Sequence, residues 1–167
     1  MRDFKEIKPV DINESAVKLI GSDWMLITSG DIENFNMMTA AWGGMGFLWK
    51  KPVVFIYVRP TRHTYGFLEK NDYFTISFFD EIYRSALNLC GTKSGRDINK
   101  KLESGLIPMT SEHSVFFEEA RLQMECRKIY ADMVKPELFL DKSIDRNYPL
   151  KDYHKMYIGE IVHCIKS

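Results

Sequence analysis

The sequence carries no surplus of either charge: Lys+Arg and Asp+Glu both number 23 in 167 residues. A general nucleic-acid binder draws most of its affinity from excess positive charge, so that class is disfavoured. Low net charge also removes one barrier to self-association. Cysteine is scarce. Cys90, Cys126 and Cys164 are odd in number, scattered and without a C-x-x-C pair. That indicates neither a disulfide framework nor a zinc site, and a reducing, cytoplasmic setting fits best. No apolar run approaches the roughly 18 residues needed to span a bilayer, so no membrane partner is expected. Met1 to Pro9 lacks the apolar stretch of a signal peptide. No low-complexity tract, internal repeat or Pro/Gly/Ser linker divides the chain, so residues 1–167 read as one domain. His63, His113, His154 and His163 share no metal-ligand spacing, and no metal is expected. Hydrolase chemistry has no support either, for there is no G-x-S-x-G elbow and no triad signature.

What is present is a β-rich pattern. Aromatic residues make 13% of the chain, which suits a β-rich core or a site for a flat ligand. Trp24 to Ser29 reads as a strand with Gly30-Asp31 as the turn after it, and Asn36 to Ala41 as a second strand. Gly43-Gly44 and Gly46 break regularity and read as a flexible turn. Val53 to Val58 is a short apolar, β-branched run, hence a buried strand. Thr64 is placed to cap a helix through Lys70 that Asn71 ends. Tyr73 to Phe79 alternates, with Phe74, Ile76 and Phe78 on one face and Thr75 and Ser77 on a polar or ligand-facing side. Asp80 reads as the N-cap of a helix with Ile82, Ala86 and Leu89 on one face and Gly91 as the stop. Asp97 reads as the cap of a shorter helix ending near Gly105. Leu122, Met124 and Cys126 alternate with polar residues, as in a half-exposed strand. Asp132 to Pro149 reads as an irregular excursion. Met156 to Cys164 reads as the closing strand, with Gly159 as a bulge or close-approach point. Strands with short interposed helices predict a β-barrel with helical decoration.

Two stretches carry chemistry. Arg59, Thr61, Arg62 and Thr64 follow the buried strand directly. Two guanidiniums and two hydroxyls at a strand end make an anion site, because Arg offers forked donors to phosphate; surface pairs with Glu69 or Asp72 are the plain alternative. Gly91, Lys93, Ser94 and Gly95 lie between two helices. Such a loop presents N–H groups, a hydroxyl and an ammonium to an anion, or is simply a helix–helix connector. Gly43-Gly44-Met45-Gly46 is not G-x-G-x-x-G and precedes a strand, which rules out a dinucleotide fingerprint. Thr92-Lys93-Ser94 lacks both glycines of a P-loop.

Asn36-Met37-Met38-Thr39-Ala40-Ala41-Trp42 resembles the flavin reductase-like branch of the FMN-binding split-barrel proteins, including flavoredoxins. So do Arg59-Pro60-Thr61-Arg62-x-Thr64-Tyr65, Gly91 to Lys100 (G-T-K-S-G-R-D-x-x-K) and His154-x-x-Tyr157-Ile158-Gly159-Glu160-Ile161. The four motifs run in the family's order from about Leu19 to Ile165. The resemblance implies a mainly β fold: a six-stranded antiparallel Greek-key split β-barrel with a few short helices, forming a homodimer. It implies FMN as cofactor and hydride transfer from NADH or NADPH, with electrons passed to free flavin, an acceptor protein or a small oxidant. By the same resemblance Met38, Thr39, Ala40, Ala41 and Trp42 line the flavin ring. Arg59, Thr61, Arg62, Thr64 and Tyr65 surround the ribityl-phosphate, and Gly91, Lys93, Ser94, Gly95 and Lys100 close it from the helix side. His154 matches a position near the nicotinamide side of the flavin. Trp42 departs from the family, where Ser or a smaller residue is common, and would narrow the open face. An electron carrier reduced by a protein partner is the alternative to an enzyme, and a barrel that has lost its site is a third reading.

Overall fold

A computed structural model describes residues 2–167. The strands are β1 (Lys5–Glu6), β2 (Met25–Gly30), β3 (Phe35–Ala40), β4 (Gly43–Leu48), β5 (Lys51–Val58), β6 (Tyr73–Phe78), β7 (Pro108–Thr110), β8 (Val115–Phe117), β9 (Leu122–Met133) and β10 (Lys155–Lys166). The helices are α1 (Ala16–Lys18), α2 (His63–Lys70), α3 (Arg84–Thr92) and α4 (Lys100–Glu103). The main sheet is antiparallel with order β3-β2-β6-β9-β10-β5-β4, and β1 pairs with β10. It therefore has eight strands rather than the six implied by the resemblance, and β7-β8 form a separate hairpin. The terminal strands of that order, β3 and β4, are neighbours in the chain. Only Ala41-Trp42 separates them, so the sheet must curl back on itself as a split barrel.

The barrel encloses the main core. Ile27, Val54, Ile56, Phe74, Ile76, Met124 and Tyr157 meet there, with Leu68 of α2 packed against them. A second core lies on the other side of β2 and β6, where Leu26, Met37, Phe79, Ala86, Leu87, Cys90 and Phe117 meet. Burying each large apolar side chain is worth about 1.5–3 kcal/mol, so two cores on opposite faces hold the central strands from both sides. No described helix is long and apolar enough to cross a membrane.

Several expectations change. Gly43–Leu48 is a strand paired with β5, not a flexible turn. The hairpin turn falls on Trp49-Lys50, both at positive φ (50° and 60°), the geometry a two-residue hairpin needs. Neither is Gly or Asn, so the turn left no compositional mark. Thr64 lies within α2 and does not cap it; Arg62 is the N-cap, and the Thr64 hydroxyl accepts from Asn36 Nδ2 at 2.7 Å. The Asp80 side chain caps nothing, its carboxylate being held by Arg2 and Arg121. Helix α3 runs through Gly91 to Thr92 and buries Ala86, Leu87 and Cys90, while Ile82 is exposed. Asn99, not Asp97, caps α4.

Thr75 and Ser77 are polar but face no ligand. Both are buried under β8, Thr75 donating to Val115 O at 2.6 Å and Ser77 to Gln123 Oε1 at 2.9 Å. Gln123 in turn bonds both backbone groups of Phe117, at 2.7 and 3.0 Å, acting as a strand partner for β8. This cover buries the start of β9 on both faces, so Leu122 to Cys126 is not half-exposed.

Gly159 is both a bulge and a close-approach point. The β9–β10 register shifts between Ile158 and Gly159, and a Cβ at Gly159 would stand 2.6 Å from Phe74 Cζ and 2.7 Å from Cys126 Cβ. Overpacking of this kind costs about 1–3 kcal/mol. Gly159→Ala is therefore expected to lower unfolding free energy by about that amount in urea denaturation. An unchanged midpoint would show that the barrel yields there freely.

Candidate functional site

The sequence motifs converge on the seam of the barrel. A cavity of about 230 Å³ is lined by Met38, Thr39, Ala40, Ala41, Trp42, Tyr57, Arg59, Arg62 and His154. A smaller cleft of about 90 Å³ is lined by Thr61, Arg62, His63, Thr64, Thr92, Lys93, Ser94, Gly95 and Lys100. Arg62 belongs to both, so the two form one connected site with an aromatic end and a cationic end. Neither lining contains a carboxylate.

Strand β3 stands at the end of the sheet order, so one of its backbone edges is free of strand pairing where it borders the larger cavity. Thr39 directs its hydroxyl elsewhere, to Leu87 O at 2.6 Å. Gly91 lets α3 lie against β3: a Cβ there would meet Thr39 Cβ at 3.3 Å. Gly95 is tighter, since a Cβ would stand 2.1 Å from Asn36 Oδ1 and 3.0 Å from His63 Cδ2. Its bareness lets the Lys93–Gly95 loop close on the start of α2.

The cations divide by role. Lys100 is buried and donates to Met37 O at 2.9 Å and Cys90 O at 2.7 Å, tying β3 to the end of α3. Burial, followed by Arg62, lowers its pKa to about 8 even though Cys90 opposes the shift. Arg62 donates to Gly91 O at 2.9 Å and Cys90 O at 3.3 Å, so these two cations complete the carbonyl end of α3. Burial and then Arg59 hold the Arg62 pKa below its ordinary value. His63 is lowered by burial first, then by Arg96 and Lys100. The Lys93 backbone N–H closes α3 on Leu89 O at 2.9 Å, while its ammonium makes no hydrogen bond or ion pair to another described residue. The smaller cleft is thus a region of positive potential with an uncommitted ammonium.

Arg59 stands apart from that group. It pairs with Asp152 at 2.7 Å, donates to Asn147 O at 2.9 Å and lies over the Tyr148 ring at 5.0 Å. It borders the aromatic cavity rather than the cationic cleft, which separates it from Thr61, Arg62 and Thr64. Tyr65 lines neither; it packs against the main core, with Lys155 Nζ 5.9 Å from its ring centre. His154 is buried, its Nδ1 2.8 Å from Tyr148 Oη and its ring 5.2 Å from that of half-exposed Trp42. Burial, then Arg59, lowers its pKa to about 4, with Asp152 acting the other way.

Sequence reasoning passed over Tyr57, His63, Thr92 and Arg96. Tyr57 was accessible through the two-residue period of β5, which puts it on the face of Arg59. Arg96 donates to Thr61 O at 3.0 Å and braces the cleft from outside.

The comparisons bear on the family and the fold. The family model described as flavin reductase like domain matches residues 17–167. The chain belongs to this family. Among solved structures it is similar to an FMN-binding domain of a flavin reductases-like enzyme from Shewanella baltica, at 18% identity and TM-score 0.71, covering 98% of this chain and 77% of that one. It is also similar to flavoredoxin of Desulfovibrio vulgaris, at 20% identity and TM-score 0.68, covering 96% and 77%. An FMN-binding protein from Thermus thermophilus aligns at 19% identity and TM-score 0.64, covering 98% and 79%. At these identities the likeness establishes the fold. No curated protein matches the chain.

The depressed pKa of His154 has a thermodynamic consequence. The unfolded chain protonates this residue near pH 6.5 and the folded chain only near 4. Its contribution to stability is therefore complete above pH 6.5 and is lost as pH falls through about 4. His154→Gln is expected to flatten the loss of stability between those values in chemical denaturation followed by pH. An identical acid limb in both proteins would show that His154 is hydrated.

Proposed function

We propose that the connected clefts hold FMN, with the ring along Met38 to Trp42 and the phosphate among Thr61, Arg62, Thr64, Lys93, Ser94 and Gly95. The observation that carries this reading is the site's polarity: an aromatic cavity and an acid-free cationic cleft joined through Arg62. The unpaired edge of β3 offers backbone N–H groups to the polar rim of a flat heterocycle. Lys100 and Arg62 place Gly91 and Cys90 against β3 and keep the phosphate region positive. Bound FMN supplies the two-electron chemistry itself, so the chain needs no dedicated acid or base. His154, neutral at pH 7 and steadied by Tyr148, keeps one side of the aromatic cavity uncharged.

Within the family we read the protein as an oxidoreductase that takes hydride from NADH or NADPH. Trp42 gives the electron-carrier reading a specific footing, because its contact with His154 narrows the mouth through which a nicotinamide would enter. A homodimer is supported by exposed Phe47 and Trp49 on the β4–β5 hairpin, and the free, buried thiols suit a reducing, cytoplasmic setting. Burial pushes Cys90 up to about 11 and Cys164 up to about 12, so no thiolate is offered for catalysis.

Flavin titrations by fluorescence quenching test the cofactor assignment. The wild type is expected to prefer FMN over riboflavin. Lys93→Ala should weaken FMN by about ten- to a hundredfold, the scale of one charge-assisted hydrogen bond, and leave riboflavin unchanged. Arg59→Ala, at the ring end, should affect both flavins alike. Equal affinity for FMN and riboflavin in the wild type would remove the phosphate site.

Anaerobic addition of NADH or NADPH to the flavin-loaded protein then separates the two redox readings. Bleaching of the yellow absorbance within turnover times identifies an enzyme. A flavin that bleaches with dithionite but with neither nucleotide identifies a carrier. Light scattering on the same sample should give twice the chain mass.

A further inference from the structure

The turn between β7 and β8 holds a second cluster that shares no residue with the flavin clefts. Glu112 and His113 sit on that turn, and Glu125 lies beneath it on β9. One potential ligand atom from each falls within 4.8 Å of the others. Glu125 is fully buried, and His113 is its only ion-pair partner among the described residues. An ionised carboxylate buried this deeply is costly unless hydrogen bonds and a cation or metal compensate it. Its Oε1 is already satisfied by Ser111 Oγ and by the His113 backbone N–H at 2.8 Å. Its Oε2 faces His113 Nδ1 at 3.3 Å.

That separation is long for a charge-assisted hydrogen bond, which falls at about 2.7–2.9 Å. It is the spacing expected of two ligands on one tetrahedral zinc, where bonds of about 2.0–2.1 Å put neighbouring donors about 3.3 Å apart. The ring is fixed as well: Tyr73 stacks on His113 with centroids 4.0 Å apart and planes 7° from parallel. Ser111 and the His113 backbone orient the carboxylate as outer-shell partners orient metal ligands. Glu112, exposed on the turn, brings a third carboxylate oxygen within 4.8 Å of the other two ligand atoms.

We propose that Glu112, His113 and Glu125 bind one zinc-type divalent cation that staples the β7–β8 turn to β9. The role is structural: the staple clamps the hairpin covering the second core. Sequence spacing conceals the site, because its buried ligand comes from a neighbouring strand.

The test is calorimetric titration with zinc chloride of chelator-stripped protein, with flavin content measured before and after stripping. One zinc per chain and a zinc-dependent rise in Tm are expected for the wild type, with flavin content unaltered. Glu112→Gln and His113→Gln should each weaken zinc at least tenfold and abolish the rise in Tm. Glu112 is exposed, so its variant should fold normally and keep the test informative. Absent or non-stoichiometric uptake by the wild type, or unchanged affinity in both variants, would overturn the assignment.

Discussion

A sheet whose two terminal strands are joined by two residues has to close. Ala41-Trp42 link β3 to β4 across the seam, and that short link sets both the curl of the sheet and the place where it stays open. The rest of the site is arranged along this seam. Strand β3 supplies an unpaired backbone edge, β5 brings Tyr57 and Arg59 from the facing side, and the loop after α3 closes the far end. The barrel interior, by contrast, is filled with apolar side chains and has no room for chemistry.

Buried Lys100 and half-buried Arg62 tie the seam together. Lys100 reaches two carbonyls on different elements, Met37 O on β3 and Cys90 O on α3, and Arg62 completes the same helix end from the start of α2. Three elements far apart in sequence are thereby held at one point. The arrangement concentrates positive charge where a dianion would sit, and part of the cost is visible in the lowered pKa values of Lys100 and Arg62. An anion bound between them would relieve that cost, because its charge would offset the mutual repulsion and desolvation of the same two side chains.

Strands with a strong local pattern were legible from sequence: β2, β3, β5, β6 and β10 fall within a few residues of the runs that announced them. The misses have distinct physical causes. β4 was hidden because its glycines face a partner strand and its turn uses Trp49-Lys50 in a left-handed conformation that composition does not signal. Hairpin β7–β8 is too short for periodicity to reveal. The polar face of β6 was visible, but its meaning was not, because Gln123 and β8 that cover it lie some forty residues onward. At the seam, residues from all four motifs line the two clefts or border them. The motifs did not separate Arg59 from Arg62, since the direction of each guanidinium is decided by Asp152 and Gly91, partners that no local spacing encodes.

Arg59 and His154 lean on Asn147, Tyr148 and Asp152, residues that lie outside regular strands in the excursion between β9 and β10. The mouth of the aromatic cavity is therefore shaped by a surface segment that the barrel core does not need. Insertions or deletions there would re-contour the entrance while leaving in place the two apolar cores, to which no residue of the excursion belongs. A protein built this way has the shape of its cavity mouth and its foldability under separate control, so the entrance can drift in evolution, or be redesigned, at little risk to the scaffold.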